Sequence, residues 1–72
     1  MPRYVDIAET IRAAVRRGDY APSGRLPIQE ELAAQFDTST ATIHKATKLL
    51  KAEGVLYTAH NGTFAGTRPE RP

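Results

Sequence analysis

The sequence predicts a mainly α fold with a small β-hairpin, three helices and then two short strands. Three observations carry that reading. Apolar residues recur at three- and four-residue steps over residues 4–15, 28–36 and 43–50, the period of helices that bury one stripe. Beyond Gly54 that period is lost, and the runs "VLYTA" and "TFAGT" flank "HNG", the pattern of two strands joined by a tight turn. With 72 residues and no cysteine, the chain has room for one small domain, without a disulfide framework or a thiolate metal site.

The first helix covers residues 4–17, with Tyr4, Ile7, Ile11, Ala14 and Val15 along its buried stripe. Arg16 and Arg17 suit the negative end of its dipole, and Gly18 stops it. "DYAPSGRLP" is a loop by its Pro and Gly content. Pro27 is placed in the first turn of the second helix, where a missing N–H does no harm. That helix runs to about Phe36 with Ile28, Leu32, Ala33 and Phe36 inward, and Glu30 and Glu31 are ordinary surface acids on it. The third helix begins after Ser39, ends at Gly54, and buries Ile43, Ala46, Thr47 and Leu50. Asn61-Gly62 is expected to turn the hairpin with positive φ at both residues. Tyr4, Tyr57 and Phe64 are expected in the core or at the base of the hairpin. Residues 1–66 form the expected domain. Residues 67–72, "TRPERP", have nothing to bury and are expected as a disordered tail or the start of a linker.

Only about three residues, "DTS", join the second and third helices. So short a connection forces a steep crossing, which is a helix-turn-helix. Asp37 stands where the chain must turn, and Asp tolerates a positive φ better than most residues. Ser39 is placed to cap the third helix by accepting the N–H of Ala41 or Thr42, with Thr38 the competing cap. The free N–H groups of that first turn, flanked by the hydroxyls of Thr38, Thr40 and Thr42, make an arrangement that binds phosphate. On a helical wheel Thr40, His44, Lys48 and Lys51 share one face, with Ala41 beside them and Lys45 further round. Small residues at Thr40 and Ala41 would let the helix end enter a groove deeply. The charge is asymmetric: residues 1–37 carry five Arg against six acids, a net of −1, and residues 38–72 carry five cations against two acids, a net of +3. A positive second half suits a polyanionic partner. Taken singly, each feature is also what a capped, solvated helix would show; the spacing and the hairpin after it join them.

In this order and spacing the residues resemble the winged helix-turn-helix domain of the GntR transcription regulators. The resemblance runs from about Tyr4 to Phe64. It rests on "I...IR..V..GDY.P..RLP" from Ile7 to Pro27, "EELA" at 30–33, "S.ATI.KA..LL.AEG" from Ser39 to Gly54, and "NGTF" at 61–64. It implies a sequence-specific DNA-binding transcriptional regulator, a repressor, whose third helix enters the major groove. Thr40 and His44 would reach base edges, Thr42 and Arg25 would meet phosphate, and the wing segment His60, Asn61, Gly62 and Thr63 would lie over a minor groove or the backbone. Its partner would be an operator in double-stranded DNA. A homodimeric pair of copies on an inverted repeat is expected, because one helix and one short wing offer too little contact for tight binding. Where members often carry arginine, this chain has Glu30, Thr40 and His44, and Ile28 replaces a capping Ser. Members also continue into an effector-binding domain, so no effector pocket is expected within this chain.

Other classes are weaker. No catalytic constellation surrounds His44, so an enzyme is not expected. No cofactor is expected, and two distant histidines without an acidic cluster argue against a metal. Asp6 and Glu9 stand where a signal peptide needs an apolar core, and no apolar run approaches membrane-spanning length. The chain is therefore expected in the cytoplasm with no membrane partner. A winged-helix protein-interaction module and an architectural or excision-type DNA-binding factor are the alternatives. The first would present Leu, Met or aromatic residues where this chain presents Thr, His and Lys.

Overall fold

The computed structural model describes residues 3–20 and 22–66; the predicted tail at 67–72 lies outside them. The expected order is found: α1 (Tyr4–Arg17), α2 (Gln29–Gln35), α3 (Thr40–Ala52), β1 (Leu56–Ala59) and β2 (Gly62–Ala65). α1, α2 and β1 all pack on α3. Ile43, Ala46, Thr47 and Leu50 form its buried stripe as the period requires, facing Ile7, Ala8 and Ile11 of α1 and Leu32 and Ala33 of α2. Leu26 and Leu56 close the core from the hairpin side.

Local chemistry sets the helix ends. Gly18 adopts φ +76 and Asp19 donates its N–H to Ala14 O at 3.0 Å, so α1 closes on a left-handed residue. Asp37 takes φ +52, the one non-glycine residue with positive φ among those described. It lets the chain reverse within three residues. Ser39 Oγ then accepts the Thr42 N–H at 3.2 Å and starts α3. Arg12 of α1 grips Glu53, the C-cap of α3, through both carboxylate oxygens at 2.8 and 2.9 Å. In the loop after α1, burial pushes the Tyr20 phenol pKa up, and the Asp19 carboxylate adds to the shift.

Four expectations are corrected. Tyr4 is 42% exposed and not in the core, because α1 begins at that residue and no helical turn precedes it. Ile28 is 54% exposed: it is the N-cap of α2, with extended backbone, and so stands off the helical stripe. Pro27 accordingly precedes the cap and is not in the first turn. Part of the expected loop pairs with the hairpin: Arg25 bridges Phe64, Leu26 donates to Thr63 O at 2.9 Å, and Ala65 donates to Gly24 O. Backbone polar groups beside an open strand edge find their partners there.

Asp37→Ile should lower the free energy of unfolding by about 1–2 kcal/mol, since a β-branched residue is strained in the left-handed region, whereas Asp37→Gly should leave it nearly unchanged. Urea denaturation of the three proteins checks this.

Candidate nucleic-acid interface

The face of α3 opposite its buried stripe carries Thr40, Ala41, His44, Lys45 and Lys48, all exposed. The stripe that packs the core thereby decides which residues face out. At the N-terminus of the helix, Ser39 Oγ and Thr42 Oγ1 lie 3.0 Å apart and the cap uses the Thr42 N–H. The N–H groups of Thr40 and Ala41 have no acceptor within the helix, as the first turn of any helix requires. Thr38 differs from expectation. Its N–H donates to Ala33 O at 2.9 Å, and its Oγ1 is buried without a hydrogen-bond partner. The left-handed turn at Asp37 backs Thr38 onto α2, so this hydroxyl is not an outward donor.

The outward face has two flanks. On one, Lys45 and Lys48 border a shallow depression floored by Tyr4, Leu49 and Ala52. On the other, His44 Nδ1 lies 3.5 Å from Gln29 Nε2 of α2. Gln29 was not among the residues the sequence singled out. A contact between residues 15 apart on two helices depends on their crossing and leaves no periodic signal. The charge balance is sharper than the sequence alone showed. Glu53 is the only acid between Thr38 and Gly66, and Arg12 engages it. The cations of α3 therefore face solvent without an unpaired carboxylate on their own helix.

The hairpin pairs Leu56 with Ala65, Tyr57 with Phe64, Thr58 with Thr63 and Ala59 with Gly62. Tyr57 and Phe64 stack with ring centroids 5.5 Å apart, so both rings stiffen the wing as expected of its base. The turn differs from expectation. His60 and Asn61 occupy it with negative φ, and Gly62 alone takes a positive value, +139. Such a turn would splay the strands against their twist, and a glycine immediately after it absorbs the mismatch. A Cβ on Gly62 would stand 3.2 Å from Arg25 Nε. The structure thus brings Arg25, 37 residues earlier in the chain (62 − 25), against the tip of the wing. His60 and Asn61 are exposed there, with Thr63 half-buried. Between the wing and α2 runs a cleft of about 190 Å³ lined by Arg25, Pro27, Gln29, Thr47 and Thr63, among others. No group of three or more His, Cys, Asp or Glu suited to a metal occurs among the described residues, and none of their helices is long and apolar enough to cross a membrane.

A model of the bacterial regulatory proteins of the gntR family matches residues 3–65. The chain is 35% identical over 65 residues to the HTH-type transcriptional repressor NagR of Bacillus subtilis, covering 89% of this chain and 27% of that protein. It is 32% identical over 71 residues to the arabinose metabolism transcriptional repressor of Geobacillus stearothermophilus, covering 97% of this chain and 19% of that one. Among solved structures, the AraR DNA-binding domain in complex with an operator superposes with a TM-score of 0.82 at 34% identity, over 92% of this chain and 81% of that one. The chain spans about a quarter of the length of the curated relatives it matches.

Gly62→Val should loosen the wing and leave the helices intact. The strain of a β-branched residue at positive φ, about 1–2 kcal/mol, should lower hydrogen-exchange protection of the Leu26 and Ala65 amides about tenfold, with helical circular dichroism unchanged.

Proposed function

The chain belongs to the gntR family of bacterial regulatory proteins, and from that membership we propose that it is the DNA-binding unit of a transcriptional repressor. It acts by occupying an operator. α3 enters the major groove, its N-terminus and hydroxyls meet phosphate, and the wing lies on the adjoining backbone or minor groove. The observation that carries this reading is the outward face of α3, where Thr40, Ala41, His44, Lys45 and Lys48 are exposed while Glu53, the single acid between residues 38 and 66, is held by Arg12. The operator complex of the similar AraR domain supports it.

Each group has a chemical task. Thr40 and Ala41 are small, so the helix end approaches the base edges closely. His44 is long enough to reach a base edge from the next turn. Lys45 and Lys48 meet phosphates as flexible point charges. The Ser39–Thr42 pair holds the first turn, and a phosphate there would accept the free N–H groups and sense the positive dipole end. Arg25, braced against Gly62, is positioned with His60, Asn61 and Thr63 for the wing contact. Such a partner places the protein in the cytoplasm.

The functional unit on DNA is a pair of copies on an inverted repeat. One recognition helix and one short wing offer about 600–1,000 Å² of contact, too little for tight specific binding at physiological salt. Helix-turn-helix proteins meet that limit by two-fold pairing on half-sites about one helical turn apart.

Binding to the chain's own upstream DNA, followed by electrophoretic shift with heparin competitor, tests the proposal. Lys48→Ala and Lys45→Ala should each weaken binding about equally on every sequence and lower the slope of log affinity against log salt by about 1. Unchanged affinity and slope in both would show that α3 is not the interface. For the assembly, the stoichiometry should be two chains per palindrome, with affinity lost when one half-site is scrambled. Tight one-to-one binding to a lone half-site would refute pairing.

A further inference from the structure

Two side chains from different helices meet at the edge of this interface, Gln29 in the first turn of α2 and His44 on α3. Gln29 Nε2 stands 3.5 Å from His44 Nδ1. An amide nitrogen donates and does not accept, so in this arrangement Nδ1 takes the acceptor's part, which goes with the ring proton on Nε2. Gln29 is half-buried and packs in the cleft beside Pro27, Ile28, Leu32 and Thr47. Its amide therefore comes from a wall that the core holds in place. Nε2 is the ring nitrogen farther along the side chain from the backbone, and His44 is exposed.

We propose that Gln29 is a positioning residue that determines base specificity through His44: by engaging Nδ1 it fixes the ring and its tautomer, so that the interface presents a single N–H donor at Nε2. A donor at that point selects a base edge bearing an acceptor, such as guanine O6 or N7, adenine N7 or thymine O4, and rejects cytosine, whose N4 amino group is itself a donor. Without Gln29 the ring turns freely, and a neutral imidazole can offer Nε2 as an acceptor. Cytosine is then no longer rejected.

The inference rests on the DNA-binding reading, and the experiment separates the two. Relative affinities for all four bases at each operator position are measured with the unaltered protein, His44→Ala, Gln29→Met and the double variant. His44→Ala should flatten the preference at one position or two adjacent ones. Gln29→Met should reduce discrimination against cytosine at that same position about fivefold, the equivalent of one neutral hydrogen bond, and the double variant should be no flatter than His44→Ala. In the free protein, long-range ¹⁵N–¹H correlation spectra should show the Nε2–H tautomer of His44, becoming mixed in Gln29→Met. This second readout needs no DNA and responds to the contact itself. A flattened preference in His44→Ala alone, or a dominant Nδ1–H tautomer in the unaltered protein, would overturn the role of Gln29 and leave DNA binding standing. Failure of the unaltered protein to prefer any duplex sequence would overturn the DNA-binding reading, and the base selectivity with it.

Discussion

The fold depends on one stripe of one helix. α1, α2 and β1 all pack on α3, and Ile43, Ala46 and Leu50 are wholly removed from solvent in doing so. In a chain of 72 residues, burial leaves little stability to spare, so that stripe cannot turn outward. The face bearing Thr40, His44 and Lys48 is consequently fixed in direction by the packing behind it. A rigid outward face is obtained from core packing behind it.

The turn before α3 carries the second requirement. Asp37 at positive φ reverses the chain, and Ser39 caps the helix on Thr42. The same few residues therefore set the α2–α3 crossing and leave the first N–H groups of α3 pointing outward. One consequence is the contact between Gln29 and His44, which exists only at that crossing. Another is the burial of the Thr38 hydroxyl. The geometry that places a helix start at the surface also withdraws one of the hydroxyls beside it.

Electrostatics and the wing extend this frame. Arg12 ties α1 to the end of α3 and at the same stroke engages Glu53. The pair is partly exposed, so its worth to stability is modest; its larger effect is to leave the lysines of α3 free of an acidic neighbour on their own helix. Residues 24–26 run along β2 and brace the hairpin, since an isolated two-stranded ribbon is marginal in water. That brace carries Arg25 to Gly62, and so links the loop after α1 to the tip of the wing.

Local patterns were legible in the sequence. The three-residue and four-residue steps named the buried stripe of α3 residue for residue, Gly18 and Ser39 marked helix ends, and Asp37 announced its own left-handed turn. Each of these depends on neighbours within one or two turns, where sequence order and spatial order coincide. The pattern misled where an element's first residue decided the outcome. Tyr4 and Ile28 fit an apolar period, yet a helix that begins at or after such a residue has no turn before it to bury the side chain. The hairpin was placed correctly, but its turn falls at His60 and Asn61, one residue before the expected Asn61-Gly62, and only Gly62 takes a positive φ. What only the tertiary structure decided is every pairing across elements: Gln29 with His44, Arg12 with Glu53, Arg25 with Gly62, and residues 24–26 with β2. These partners lie far apart along the chain, and nothing in their spacing encodes the angle at which packed helices cross or the strand edge that a loop will find.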